Sequence, residues 1–307
     1  MKKYLIFALL ILGFSSQPVP LSAEPQQQIP FEIRRNKVIL PVRINDSRTL
    51  KIILDSGMPS QGVILFRREL GDELSLEGAE RYRIRGAGQG KESYAIRAES
   101  QELAVGDVVF SGQPVLVLQN DTMSDFPTDG VMGNSIFGHH AVRFDFEKKI
   151  ITLLRTGTFH PDSSWETLDI TLNDHGIPFI KAAVSVGGEP EIPLHVYIDS
   201  ASGEALELLV RPDQKFSLPE NLETRYLGRG LSGDISGQFG RVATLRIGSF
   251  ELKDVPTAFP SAEVRSRQPG ADGIICNNTL LRFHVVFDFS AKKLFLKPNK
   301  LFGKSLS

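Results

Sequence analysis

The pentapeptide Ile53-Leu54-Asp55-Ser56-Gly57 has a near copy 144 positions later, Tyr197-Ile198-Asp199-Ser200-Ala201. In each copy an aspartate follows directly on an apolar run and precedes a serine and a small residue. A small residue at that place lets the backbone turn tightly and leaves the carboxylate free to face outward. The recurrence indicates that the chain contains two copies of one unit.

Two further pairs of segments repeat in the same order. They are Asp129-Gly130-Val131-Met132-Gly133-Asn134 with Asp272-Gly273-Ile274-Ile275-Cys276-Asn277, and Val142-Arg143-Phe144-Asp145-Phe146 with Val285-Val286-Phe287-Asp288-Phe289. The first-copy aspartate precedes Gly130 by 75 positions, and its counterpart precedes Gly273 by 74. Landmarks kept in order and in register predict an internal duplication and a pseudo-symmetric pair of lobes.

Each copy is predicted to be mostly β. Short apolar runs bounded by Gly, Pro and Asn are typical of buried strands, and they occur at 37–44, 50–54, 179–186 and 194–198. Short helices are expected near 135–137 and 279–281. We predict a signal peptide at 1–23, a first lobe at 24–156, a linker at 157–165, a second lobe at 166–298 and a loose tail at 299–307.

The N-terminus has the layout of a secretory signal peptide: two lysines, an apolar run from Tyr4 to Phe14, and a polar stretch ending at Ala23. The apolar run is shorter than the ~20 residues that span a bilayer, so stable membrane insertion is not expected after cleavage. An uncleaved N-terminal anchor is the alternative. The sequence therefore predicts a periplasmic or secreted protein.

Composition excludes several classes of function. The 307 residues are 41% hydrophobic and 23% charged, which suits a globular protein with a sizeable core. A net charge of −1 gives no basic excess for binding nucleic acid. Cys276 is the single cysteine, so an intramolecular disulfide and a cysteine-rich metal site are both excluded. His139-His140 near Asp145 is read as structural rather than metal-binding, and no metal or cofactor is predicted.

The chemistry is expected from the repeated aspartates. If a pseudo-twofold axis relates the lobes, Asp55 and Asp199 meet at that axis. Two carboxylates about 3 Å apart cannot both ionise, so they share a proton and can activate a water between them. Asp145 and Asp288 are also duplicated, but each precedes Phe and a pair of lysines around a hairpin turn, and we interpret them as structural.

These motifs resemble those of the pepsin and retropepsin superfamily of aspartic proteases, in particular exported bacterial proteins with two retropepsin-like units in one chain. Leu54-Asp55-Ser56-Gly57 matches the aspartate motif fully, Ile198-Asp199-Ser200 matches it to the third position, and Val131-Met132-Gly133 resembles the later apolar-apolar-Gly motif. The resemblance extends over about residues 30 to 298. It implies two β-barrel lobes about a pseudo-twofold axis, with short helices.

The resemblance also implies an aspartic endopeptidase that needs no cofactor. Asp55 and Asp199 would be catalytic, and Ser56, Gly57, Ser200 and Ala201 would support them, with the serine hydroxyls tying the two loops together. Glycine-rich hairpin tips would form flaps over a polypeptide substrate at Gly86, Gly88, Gly90, Gly230, Ser232 and Gly233. Because one chain carries both aspartates, a monomer is expected.

Two positions depart from the pattern, both in the second copy. Ala201 replaces the expected glycine of the aspartate motif, and Cys276 replaces the glycine of the later motif. One added methyl at Ala201 is tolerable where its φ is negative, and a buried cysteine behaves as a small apolar residue. The departures leave open an alternative, a catalytically silent peptide-binding or scaffold protein of the same fold.

Overall fold

The structure is a computed structural model that describes residues 27–76, 80–90, 93–265 and 270–306. The first half of the chain forms β1 (Gln27–Pro30), β2 (Glu32–Arg34), β3 (Lys37–Ile44), β4 (Leu50–Leu54), β5 (Val63–Leu65), α1 (Glu69–Glu73), β6 (Glu80–Ile84), β7 (Ser93–Val105), β8 (Val108–Leu118), β9 (Gly130–Met132), α2 (Asn134–Phe137), β10 (Ala141–Asp145) and β11 (Ile150–Leu154). The predicted signal peptide lies outside the described residues.

The second half repeats this order of strands. It forms β12 (Glu166–Asp169), β13 (Thr171–Leu172), β14 (Pro178–Ser185), β15 (Ile192–Asp199), β16 (Leu206–Leu208), β17 (Glu223–Gly230), β18 (Gly233–Ile247), β19 (Phe250–Pro260), α3 (Ala262–Arg265), β20 (Gly273–Cys276), α4 (Asn277–Leu280), β21 (Phe283–Asp288) and β22 (Lys293–Pro298). Its helix α3 follows β19, whereas α1 of the first half follows β5. Among the described helices, none has the length and apolar character needed to cross a bilayer.

Each lobe is a closed barrel of six strands. In the first lobe the order is β3-β4-β9-β5-β8-β7, and pairing of β3 with β7 closes the ring. In the second lobe the order is β14-β15-β20-β16-β19-β18, closed by β14 with β18. Alternation along β3, where Leu40, Val42 and Ile44 are buried while Pro41 and Arg43 are exposed, turns one face of the strand into the barrel. The predicted mostly β, two-lobed fold with short helices is confirmed.

A third sheet joins the lobes. Its order is β1-β11-β10-β21-β22-β12, so three strands come from each half of the chain. The halves meet where β10 pairs antiparallel with β21, with Arg143 opposite Val286. The ring of Phe287 packs edge-on against Phe137 at 5.6 Å and against Phe144 at 5.9 Å. The shared sheet and its aromatic core hold the two barrels in one orientation.

The repeated Phe-Asp-Phe segments have the structural role that the sequence indicates. Asp145 accepts a hydrogen bond from the backbone N–H of Lys148 at 3.0 Å, and Asp288 accepts one from Ala291 at 2.9 Å. Each aspartate therefore fixes the turn of its own hairpin. Asp288 also accepts from the backbone N–H of Gly157 at 2.6 Å, which ties the segment 157–165 to the shared sheet.

The prediction of a loose tail is wrong for residues 299–306. The ring of Phe302 packs against Phe283 at 5.3 Å and against Phe250 at 5.7 Å, and Leu306 is buried. These apolar side chains help to hold the segment on the second lobe, because each removes apolar surface from water on docking. Hydrogen bonds from the backbone N–H of Asn299 to the carbonyl of Arg282 and from the Arg241 side chain to the carbonyl of Leu306 hold it as well.

The lobes are also tied together at the pseudo-twofold axis by two buried serines. Ser56 donates its backbone N–H to Ser200 Oγ at 2.9 Å, and Ser200 donates its backbone N–H to Ser56 Oγ at 3.1 Å. The hydroxyl of Ser56 donates to the carbonyl of Ile198 at 3.0 Å, and that of Ser200 donates to Leu54 at 2.8 Å. Each serine thus satisfies one buried amide and one buried carbonyl of the opposite lobe.

Replacing either serine is expected to destabilise the protein. Ser56→Ala and Ser200→Ala should each lower the free energy of unfolding by about 1–3 kcal/mol, because each leaves a buried N–H and a buried C=O of the other lobe unpaired. The double variant should lose less than the sum of the single variants, since both belong to one network. Urea unfolding of the four proteins measures this cycle.

Ser56→Thr keeps the hydroxyl and should restore most of the stability, whereas Ser236→Ala, at an exposed position of β18, should change little. Strict additivity of the two alanine variants would contradict an interlocked pair.

Candidate active site

The two aspartates stand at equivalent places, each where a buried strand ends. Asp55 follows β4, whose neighbour β9 runs parallel to it, and Asp199 ends β15, which pairs in parallel with β20. Asp55 donates its backbone N–H to the carbonyl of Met132 at 2.8 Å, which holds the start of its loop against β9. The predicted equivalence of the two motifs is therefore seen in the strand pairing.

Backbone amides of the turns hold one oxygen of each carboxylate. Asp55 Oδ1 accepts from the N–H of Gly57 at 2.7 Å. Asp199 Oδ1 accepts from Ala201 at 2.8 Å and from Ser202 at 2.9 Å. Ala201 does not have a positive φ, so its methyl group is accommodated without backbone strain, as expected from the sequence.

The cysteine of the second copy has a similar explanation. A side chain at Gly133 would place its Cβ 2.4 Å from the carbonyl oxygen of Asp55 and 2.6 Å from that of Met58, so the first copy requires glycine. Cys276 is accommodated at the equivalent position and is fully buried. Burial, with the nearby charge of Glu207, raises the pKa of the Cys276 thiol, which therefore stays neutral.

Both aspartates line one cavity of about 760 Å³ between the lobes. A methyl group placed on Gly57 would lie 3.2 Å from Asp55 Oδ1 and 3.6 Å from the carboxyl carbon of Asp199, so both carboxyl groups flank one point. Burial, reinforced by the negative charge of Asp199, raises the pKa of Asp55 to about 8. The fold thus brings the two predicted residues into one buried, electrostatically linked site.

The two glycine-rich hairpin tips meet above this cavity. Ser232 donates its backbone N–H to Ala87 at 2.9 Å and accepts from the N–H of Gly90 at 2.6 Å. A Cβ on Gly88 would lie 2.4 Å from the backbone nitrogen of Gly233, which shows how closely the tips approach. Gly86 and Gly230 line the cavity, while the other predicted tip residues make contacts between the tips.

The first tip is also tied to helix α3. Gly88 donates its backbone N–H to the carbonyl of Val264 at 2.9 Å. The next residue, Arg265, extends into the cavity. Its position is thus fixed both by its own side-chain contacts and by the closed tip.

Three charged residues beside Asp199 were not predicted from the sequence. Arg265 Nη2 donates to Asp199 Oδ2 at 2.7 Å, and Arg265 Nε donates to Glu207 Oε2 at 2.6 Å. The ammonium group of Lys37 donates to the carbonyl of Ala201. An alignment of the two copies could have drawn attention to Glu207, because it stands in a short apolar strand where the first copy has Ile64.

These charges determine the ionisation of Asp199. Burial disfavours its charged form, but the charge and hydrogen bond of Arg265, aided by Lys37, outweigh burial and lower the pKa of Asp199 below its ordinary value. Asp199 accepts hydrogen bonds on both oxygens, whereas Asp55 accepts the one described above from Gly57. The two aspartates are therefore equivalent in backbone position and different in electrostatic environment.

Away from the cavity, Asp145, Glu147 and His284 have potential ligand atoms within 4.8 Å of one another. Glu147 already pairs with Lys300 at 3.1 Å, and His284 lies beside Asp145 in the shared sheet. His139 packs against Phe110 rather than joining this group. The sequence prediction that no metal is bound stays a prediction.

Comparisons with known proteins agree with this geometry. A family model described as aspartyl protease matches residues 40–138, which include the first aspartate motif and the later glycine motif. A search of curated proteins finds no match. Among solved structures, an aspartic proteinase from Irpex lacteus is similar with a TM-score of 0.57 and 13% identity, covering 92% of this chain and 100% of that chain. The resemblance inferred from the motifs is confirmed: the chain has the two-lobed fold of the aspartic proteinases, and its first lobe matches the aspartyl protease family.

Proposed function

We propose that the protein is an aspartic endopeptidase that hydrolyses peptide bonds with a water molecule activated by Asp55 and Asp199. The observation that carries this proposal is the placement of both carboxyl groups, on equivalent turns, around one point of a cavity between the lobes. The aspartyl protease match and the fold support a protease function independently of that geometry.

The reaction needs one ionised and one protonated carboxyl group. The ionised group takes a proton from the water, whose oxygen bonds to the carbonyl carbon of the substrate, while the protonated group gives its proton to the carbonyl oxygen. Collapse of the tetrahedral intermediate breaks the carbon–nitrogen bond, and the proton taken from water passes to the leaving nitrogen. The protonated carboxyl group is then restored from the hydroxyl of the intermediate.

The shape of the cavity suits an extended peptide. Its floor carries the aspartates, and its roof is formed by two β-hairpins whose backbone groups can pair with an extended chain. Pairing of this kind does not depend on sequence, so the side-chain pockets on each lobe would select the substrate. Polypeptide in an extended conformation is the proposed substrate class.

The proposal includes export and a monomeric active site. The N-terminal 23 residues have the pattern of a signal peptide, which suggests a periplasmic or secreted enzyme. One chain supplies both aspartates, and β10 with β21 joins the two halves within it, so a monomer would contain a complete site.

A second candidate is a catalytically silent peptide-binding protein. The observation in its favour is the hydrogen bond from Arg265 to Asp199 Oδ2, the oxygen not held by turn amides. A guanidinium at this position competes with water for the oxygen. The same cavity and roof would then bind an extended peptide without cleaving it.

Asp55→Asn and Asp199→Asn are each expected to lower the rate of peptide cleavage by about 10²–10⁴-fold, because a neutral amide can neither accept the proton of water nor donate one as an acid. Cleavage of a peptide library with and without pepstatin measures this loss, and circular dichroism checks the fold. Retention of wild-type turnover by either variant would show that the two carboxyl groups do not act together.

Mixing the two inactive variants tests whether one chain forms the whole site. If the aspartates pair within a chain, no molecule in the mixture has both of them, and no activity is recovered. Recovery of substantial activity in the mixture would show that the aspartates pair between chains. Binding of library peptides by wild-type protein with no cleavage from acid to neutral pH would favour the silent candidate.

The pH dependence should extend to neutral pH. The raised pKa of Asp55, about 8, means that the pair keeps its shared proton below that value and loses it as the pH rises through it. Activity should therefore persist at neutral pH and fall on the alkaline side near pH 8, when both carboxyl groups are ionised. A profile of kcat/KM against pH reports this titration, and an alkaline limb whose midpoint lies well below neutral pH on an intact fold would contradict it.

A further inference from the structure

The surroundings of the two aspartates differ at positions that the duplication makes equivalent. Ile64 lies opposite Val131 in the first lobe, and Glu207 lies opposite Ile274 in the second. Val131 and Ile274 are the same position of the repeated motif, so Ile64 and Glu207 correspond by register. Both side chains are buried, which makes the exchange of an apolar residue for a carboxylate a difference in the interior.

Two further equivalent pairs also exchange an apolar side chain for a polar one. Three positions after each aspartate the first lobe has Met58, which is apolar, and the second has Ser202, whose hydroxyl donates to Glu207 Oε1 at 2.7 Å. Lys37, the first residue of β3, corresponds to Ile177, the residue before β14, because both stand two residues before a partner of the motif strand. Met58 and Ile64 belong to an apolar cluster of the first lobe, whereas Lys37 and the Ser202–Glu207 pair lie beside the Asp199 turn.

Arg265 joins the polar members into one cluster. Besides its bond to Asp199, it donates to both oxygens of Glu207, at 2.6 Å from Nε and 3.1 Å from Nη2. Its side chain is 11% exposed, and that of Glu207 is 5% exposed. The equivalent loop of the first lobe instead contributes Met123 and Phe126 to the apolar side of the cavity.

The groups that face Asp199 come from several elements: Asp55 from its own loop, Lys37 from β3, Glu207 from β16, Arg265 from α3 and Cys276 from β20. Glu204 lies beyond Glu207 and pairs with Arg225. A guanidinium does not lose its proton in proteins, so Arg265 needs anions wherever it is buried. Glu207 supplies one of them, and ionised Asp199 is the other.

Resting on the proposed function, we propose that Arg265, braced by Glu207, is a positioning residue that keeps Asp199 as the ionised member of the pair and thereby places the shared proton on Asp55. Asp199 then accepts the proton of water, and the Asp55 carboxyl group donates to the carbonyl oxygen. In a symmetric pair either carboxyl group could act as the acid or as the base. Here the charges of the second lobe determine which group takes each role.

The test reads ionisation directly. Protein with carbon-13-labelled aspartate carboxyl groups is titrated by NMR, and the two signals are assigned from Asp55→Asn and Asp199→Asn. In the wild type the Asp55 signal should titrate near pH 8, and the Asp199 signal should show an ionised carboxylate throughout the mildly acidic range. If the signal that titrates near pH 8 belongs to Asp199 instead, the inference is wrong, and this result needs no Arg265 variant.

Arg265→Gln supplies the second arm. It should raise the pH at which the pair takes up its second proton, and with it the acid limb of the activity profile, by about 1–3 pH units, because a nearby positive charge is removed. Arg265→Lys should restore most of the wild-type position. Arg211→Gln is the matched control, because Arg211 pairs with the buried Asp272 in the same lobe at 2.9 Å and does not line the cavity. It should leave both signals unchanged.

The outcomes separate this inference from the proposed function. Unchanged titration of Asp199 in Arg265→Gln overturns the assigned role, even if the enzyme cleaves peptides. If Arg265→Gln is more active at every pH and its pH profile is not displaced, Arg265 obstructs the active site rather than positioning a proton. That result would also overturn the inference. If both signals titrate as expected but the protein cleaves no peptide, the assignment of the proton to Asp55 is supported and the proposed endopeptidase function is wrong.

Discussion

The hydrogen bonds between Ser56 and Ser200 are the constraint on which the site depends. They lie at the end of the strands that carry the aspartates, and they satisfy amides and carbonyls that the barrels cannot pair internally. Because each lobe completes the hydrogen bonding of the other, neither aspartate loop is fully formed alone. The shared sheet fixes the orientation of the barrels, and the serines fix the distance between the loops.

Duplication within one chain has allowed the two halves of the site to diverge. A symmetric homodimer must place the same side chains around both carboxyl groups, so a charged residue beside one is a charged residue beside the other. Here Ile64 and Met58 belong to one half, and Glu207 and Ser202 to the other, in barrels of the same topology. The backbone keeps the symmetry, while the interior charges remove it.

The sequence predicts the fold well, because repetition gives two independent readings of each element. The aspartate turns, the serine pair and the glycine-rich tips stand in motifs whose residues are neighbours along the chain. Arg265 was not predicted, since it lies 66 residues from Asp199 and reaches it only when α3 folds over the cavity. Glu207 was detectable as one polar residue in an apolar strand. The packed tail was missed because its few apolar residues stand among polar ones without the pattern of a strand or helix.

The six-stranded sheet between the lobes also governs how the chain can be assembled. β10 pairs on one side with β11, which follows it closely, and on the other with β21, which belongs to the second half of the chain and is made much later. Until residues 283–288 emerge from the ribosome, β10 is an open edge with unpaired amides, the kind of edge to which another strand adds. A first half made without the second would leave that edge open to pairing with a strand of another chain. In the structure β21 of the same chain covers that edge, so the pairing of β10 is completed without a strand from a second copy.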